Sequence, residues 1–141
     1  MSHNPTLIFL PMLAVVALTF VAFVRMAAAR AAIFDSMEPD YYRAHLGKPE
    51  PESARVAERH YGNLFELPTL FYAACLTGYV MAVVGRWTLV FAWGYVAARI
   101  LQSLIHTTYN KPSHRAGAFV LGIVFALALW INLAVSIFAR V

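Results

Sequence analysis

AGAFVLGIVFALALWINLAVSIF, residues 116–138, is an apolar run interrupted only by Asn132 and Ser136 and without an ionisable side chain. A bilayer core about 30 Å thick is crossed by about 20 mostly apolar residues in a helix, so this stretch reads as a transmembrane span. Toward the N-terminus three more stretches, 87–108, 64–84 and 6–24, have the same character. The composition agrees, since 61% of the 141 residues are hydrophobic and 13% charged, whereas a soluble domain carries about 25% charged residues. The expected fold is an all-α membrane protein in one domain, 1–141, a four-transmembrane-helix bundle with helices at about 6–34, 58–84, 87–109 and 115–139.

The connections set the topology. The first, 35–57, is the only long polar segment: Asp35, Glu38, Asp40, Glu50 and Glu52 lie beside Arg43, Lys48 and Arg55, and Pro39, Pro49 and Pro51 discourage helix there. The second, about Gly85, Arg86 and Trp87, allows only a tight hairpin, and the third, 108–114, is short and polar. Arg25, Arg30, Arg43, Lys48, Arg55, Arg59, Lys111 and Arg115 flank the first and third connections, against Arg86 and Arg140 on the other side. Positive charge concentrates on the cytoplasmic side, so the long first loop is expected in the cytoplasm and both termini outside. Met1 to Thr6 holds no Lys or Arg and the apolar run that follows is long, which favours an uncleaved first helix over a secretory signal.

Other features exclude function classes. The net charge is +4, but no basic run of five or more residues occurs, so nucleic acid is not the expected partner; membrane lipids or an anionic small molecule are. Cys75 is the single cysteine and falls inside the second span, where it reads as packing rather than redox chemistry. No metal site is expected. Of the five histidines only His106 lies in a span, which speaks against a bis-imidazole haem. The first span has no ionisable group between Leu7 and Val24, unlike a proton-coupled transporter with a mid-membrane carboxylate.

Ionisable residues at membrane depth are costly and mark functional candidates. From Arg99, the offsets 3, 4, 7, 10 and 11 reach Gln102, Ser103, His106, Tyr109 and Asn110, a polar stripe with helical period. In the second helix Arg59, Asn63 and Glu66 recur at offsets 4 and 7 and share a face. An ion pair or shared network between Glu66 and Arg99 is expected on this pattern. Such a network pins two helices together whether or not it binds anything. Yet Arg59, Arg99, Arg115, His106 and Tyr109 outnumber the local carboxylates Glu58 and Glu66, and surplus guanidinium groups suit an anionic ligand.

The stretch Glu58-Arg59-His60-Tyr61-Gly62-Asn63-Leu64-Phe65-Glu66-Leu67-Pro68 resembles the opening of the second helix in the MAPEG family, the membrane-associated proteins of eicosanoid and glutathione metabolism. The resemblance extends to the length, the four spans, the long first loop, Arg99 and Arg115, and is microsomal glutathione transferase-like. It implies a left-handed four-helix bundle assembled as a homotrimer, with glutathione bound as cosubstrate between subunits. By that resemblance Arg59 and Arg99 would meet glutathione's carboxylates and Glu66 its ammonium. Asn63, His106 and Tyr109 would add hydrogen bonds, and Arg115 would be the catalytic residue that stabilises the thiolate. The implied function is a membrane-embedded glutathione transferase or peroxidase that detoxifies lipophilic electrophiles; the alternative is a noncatalytic lipid- or glutathione-binding protein of the same fold. His106 stands where family members often carry tyrosine, and Ala116 where prostaglandin-forming members carry serine, which disfavours the prostaglandin reaction.

Overall fold

The computed structural model describes residues 4–37, 41, 47 and 49–140. The expected loop residues Glu38, Pro39, Asp40, Arg43 and Lys48 lie outside them. Among the described residues there are four long α-helices and no strand. They are α1 (Phe9–Ala31), α2 (Glu52–Val80), α3 (Arg86–Thr107) and α4 (Pro112–Phe138). A 3-10 turn, Pro5–Ile8, leads into α1, and Asn4 caps it by accepting from the Thr6 amide at 3.1 Å.

The helix ends differ from the sequence expectation for local reasons. α1 stops at Ala31 rather than near 34, and Phe34–Ser36 forms a separate 3-10 turn. α2 starts six residues early, because the Pro51 carbonyl accepts from the Ala54 and Arg55 amides and so begins the helix ahead of the apolar run. It ends at Val80, where Ala82 adopts φ 50°. The Val83 amide then reaches the Gly78 carbonyl and the Ala82 amide reaches that of Tyr79, the paired closure of a Schellman motif. Arg140 completes this cap from the far end of the chain, donating from Nη1 to the Met81 carbonyl at 2.6 Å and from Nη2 to the Ala82 carbonyl at 2.9 Å. α4 begins at Pro112 instead of 115, since proline suits the first helical position.

Among the described residues three segments are long and apolar enough to cross a membrane: Pro5–Ala31, Arg86–Thr107 and Pro112–Phe138. The second span expected from the sequence, α2, falls short of that apolarity. It carries Asn63, Glu66 and an interior Pro68, although its 29 residues give it ample length at about 1.5 Å per residue.

The chain divides into two compact units, one of Met1–Leu18 with Glu66–Val141 and one of Thr19–Phe65. In the first, Ile8 and Val15 of the N-terminal segment, Phe71 of α2, Tyr95 of α3 and Leu129 and Leu133 of α4 form one apolar core. The Phe71 and Tyr95 rings stack at 4.3 Å. Close approach depends on small residues: Gly94 of α3 lies against the Phe125 ring, and a Cβ on Gly78 would sit 3.1 Å from Leu133. Thr88 accepts from Asn132 at 2.9 Å, tying α3 to α4 at the opposite end from His106. In the second unit, Arg30 at the end of α1 bridges Glu50 at 3.2 Å and Glu58 at 3.1 Å, and Phe23, Tyr61 and Phe65 form a run of ring contacts.

Candidate functional site

The buried face of α3 carries the polar residues. Thr88, Ala92, Tyr95, Arg99, Gln102 and His106 are all buried, and their alternating spacing of four and three residues keeps them on one side of the helix. The expected stripe of Arg99, Gln102, Ser103 and His106 is thus an inward face. Arg99 is 0% exposed. Its Nε donates to the Tyr95 hydroxyl at 2.9 Å and its Nη1 to Gln102 Oε1 at 2.6 Å. The guanidinium lies 5.3 Å from the Tyr95 ring centroid and 5.2 Å from that of Phe119, within cation–π range. Gly122 of α4 leaves room beside it, its nearest added Cβ contact being Arg99 Nε at 3.8 Å. Arg99 Nη2 is buried without a hydrogen-bond partner among the described residues.

The expected Glu66–Arg99 ion pair does not form. Among the described residues the ion pairs are those of Arg30, and Glu66 is exposed on α2. The physical reason is that Arg99 finds neutral oxygens one turn away on its own helix, which hold its side chain along α3.

The lower end of the stripe also differs. α3 stops at Thr107, so Tyr109 and Asn110 lie in the turn rather than on the helical face. Tyr109 is 59% exposed and its hydroxyl sits 3.1 Å from His114 Nδ1. Asn110 takes φ 45° and its amide closes onto the Ile105 carbonyl at 2.8 Å. Its side chain thereby meets the start of α4. Arg115, half-buried in the first turn of α4, donates from Nη1 to Asn110 Oδ1 at 2.9 Å and to His106 Nε2 at 3.2 Å.

On α2, Arg59 is exposed and Asn63 half-buried, both in the second unit, while Glu66 begins the α2 part of the first. Arg30 is occupied by two carboxylates, and Arg25 is exposed. Glu50 is buried, with its Oε2 lacking a hydrogen-bond partner among the described residues.

A family model described as the MAPEG family matches residues 8–135. The chain belongs to the MAPEG family. No curated protein and no solved structure matches it. As a MAPEG protein it is a multi-pass membrane protein of a family concerned with glutathione and eicosanoid metabolism.

Two residues of this MAPEG chain's polar framework escape a sequence reading. Tyr95 reads as an apolar span residue, and its signal was its place four residues before Arg99. Asn132 was the single amide in an otherwise apolar run, four turns from any other marked residue. The structure brings Arg115, His106 and Asn110 together, and separately Arg99, Gln102 and Tyr95.

Proposed function

We propose that this MAPEG protein is a membrane-embedded glutathione transferase or peroxidase acting on lipophilic electrophiles, with Arg115 stabilising the glutathione thiolate. The observation that carries this reading is the condition of the Arg115 guanidinium. Its contacts, Asn110 and His106, are neutral acceptors rather than carboxylates. It is held without being neutralised. A fixed cation beside a thiol lowers its pKa, and the thiolate is the attacking species. The N-terminal end of α4 adds positive potential at the same place.

Glutathione offers two carboxylates and an ammonium. Arg59 supplies a positive charge for a carboxylate, Glu66 a negative charge for the ammonium, and Asn63 an amide. Arg99, fully buried, contributes positive potential and its unpartnered Nη2 rather than an exposed contact. His106 and Tyr109 add hydrogen-bonding groups at the lower end of α3. An apolar electrophile reaches such a site from the lipid. Glu66, exposed on a helix that otherwise turns apolar, calls for cover, which a homotrimer with its sites between subunits provides. The positive charges flanking the first and third connections favour a cytoplasmic opening.

The test is a titration of glutathione into purified protein, followed by thiolate ultraviolet absorbance. A saturable thiolate signal in the wild type that is lost in Arg115→Ala is expected. Saturable glutathione binding without any thiolate would replace the enzyme by the noncatalytic binding protein of the same fold.

A further inference from the structure

Resting on the reading of Arg115 as the thiolate's partner, we propose that Asn110 and His106 are positioning residues that fix which edge of the Arg115 guanidinium meets the sulfur.

A guanidinium carries five N–H donors, two on each Nη and one on Nε, and accepts nothing. Arg115 Nη1 meets Asn110 Oδ1 at 2.9 Å and His106 Nε2 at 3.2 Å, so both of its hydrogens are engaged. The remaining three, on Nη2 and Nε, have no partner among the described residues. They form the parallel fork that grips an anion in bidentate fashion. Since arginine only donates, this contact takes His106 Nε2 as the acceptor, which requires the tautomer with its proton on Nδ1.

The fold builds this clamp from two directions. His106 is 2% exposed on the buried face of α3, so packing fixes its ring. Asn110 sits at φ 45°, in the left-handed region that asparagine tolerates better than most residues, and the bond from its amide to the Ile105 carbonyl fixes that turn. Both anchors belong to the end of α3 and its turn, whereas Arg115 belongs to α4. Without them a long side chain at the first turn of a membrane helix is able to swing toward the interface, carrying its charge away from the sulfur.

The test combines a spectroscopic readout with kinetics. In detergent micelles, 15N spectra assigned through His106→Gln should show His106 as the neutral Nδ1–H tautomer, with that preference lost in Arg115→Ala. Asn110→Gly keeps the left-handed backbone and deletes only the amide; His106→Phe keeps a ring and deletes the acceptor. Each should raise the pKa of the bound thiol and lower kcat about 10- to 100-fold, with KM for glutathione changed less than about two-fold in Asn110→Gly. His106→Gln, which returns an acceptor oxygen, should recover part of the loss. An Nε2–H tautomer in the wild type overturns the clamp. So do wild-type kcat and thiol pKa in Asn110→Gly when Arg115→Ala loses both. If Arg115→Ala changes neither kinetics nor thiol pKa, the enzyme reading fails instead, and the tautomer alone decides whether the clamp exists.

Discussion

Gly94 on α3 and Phe125 on α4 fit as notch and ring: a Cβ on Gly94 would lie 2.8 Å from Phe125 Cζ and closer still to Cδ1 and Cε1. No real Cβ contact is that short, so the glycine is what lets the aromatic ring come this close to α3. Gly94→Ala should destabilise the protein by about 1 to 3 kcal/mol through overpacking. Adding Phe125→Leu should recover much of that loss, because the two positions share one contact. Thermal unfolding of both single variants and the double variant in detergent measures the coupling, and additive losses would contradict the notch.

Arg99 and Glu66 should behave independently. Glu66→Gln is expected to leave the effect of Arg99→Met on stability unchanged, as for two side chains without a shared contact. Tyr95→Phe, which strips the acceptor from a fully buried guanidinium nitrogen, should cost about 1 to 3 kcal/mol. Melting curves of the Arg99→Met, Glu66→Gln pair and its double should add. A coupling of more than about 0.5 kcal/mol would restore the ion pair that the structure lacks.

Ala82 ends α2 with φ 50°, a conformation that costs a residue with a Cβ about 1 to 2 kcal/mol. Glycine avoids that strain but gives up about 0.5 to 1 kcal/mol in chain entropy. Ala82→Gly should therefore be stabilising by a few tenths of a kcal/mol up to about 1 kcal/mol, seen as a raised Tm. Arg140→Ala should lower the Tm, because the Met81 and Ala82 carbonyls lose their donors.

Arg115→Ala should reduce turnover about 10²- to 10³-fold, the usual loss when a fixed electrostatic stabiliser is removed, while glutathione affinity changes little. Arg115→Lys should fall between the two, since an ammonium keeps the charge and loses the fork. Steady-state kinetics with an aryl halide and glutathione read both. Equal activity in the alanine variant would leave Arg115 as an anchor at the membrane surface.

Periodicity made the inward face of α3 legible, because Arg99, Gln102, Ser103 and His106 recur at helical spacing in an apolar background. It also located Arg115 at the head of α4. It did not identify partners. Arg99 has a choice between a carboxylate on another helix and oxygens on its own, and that choice depends on the side-chain conformers that packing against Phe119 and Gly122 permits. Helix ends differ from the sequence expectation by one to six residues because they depend on carbonyl acceptors such as Pro51 and on left-handed residues such as Ala82 and Asn110. Alanine at a left-handed position gives no sequence signal of the kind a glycine would.

Arg99 has a consequence for biogenesis. A lone α3 entering lipid carries its guanidinium with only Tyr95 and Gln102 to satisfy it, at a cost of about 2.5 to 3.5 kcal/mol for an arginine near the centre of a helix. The lid over that charge is made later in translation, when Phe119 and the side-chain-free surface of Gly122 arrive with α4. Only residues 108–111 separate the two helices, so α4 is within reach as soon as it is synthesised. The two helices therefore gain most by leaving the translocon as one hairpin, the later helix sealing the charge of the one before it.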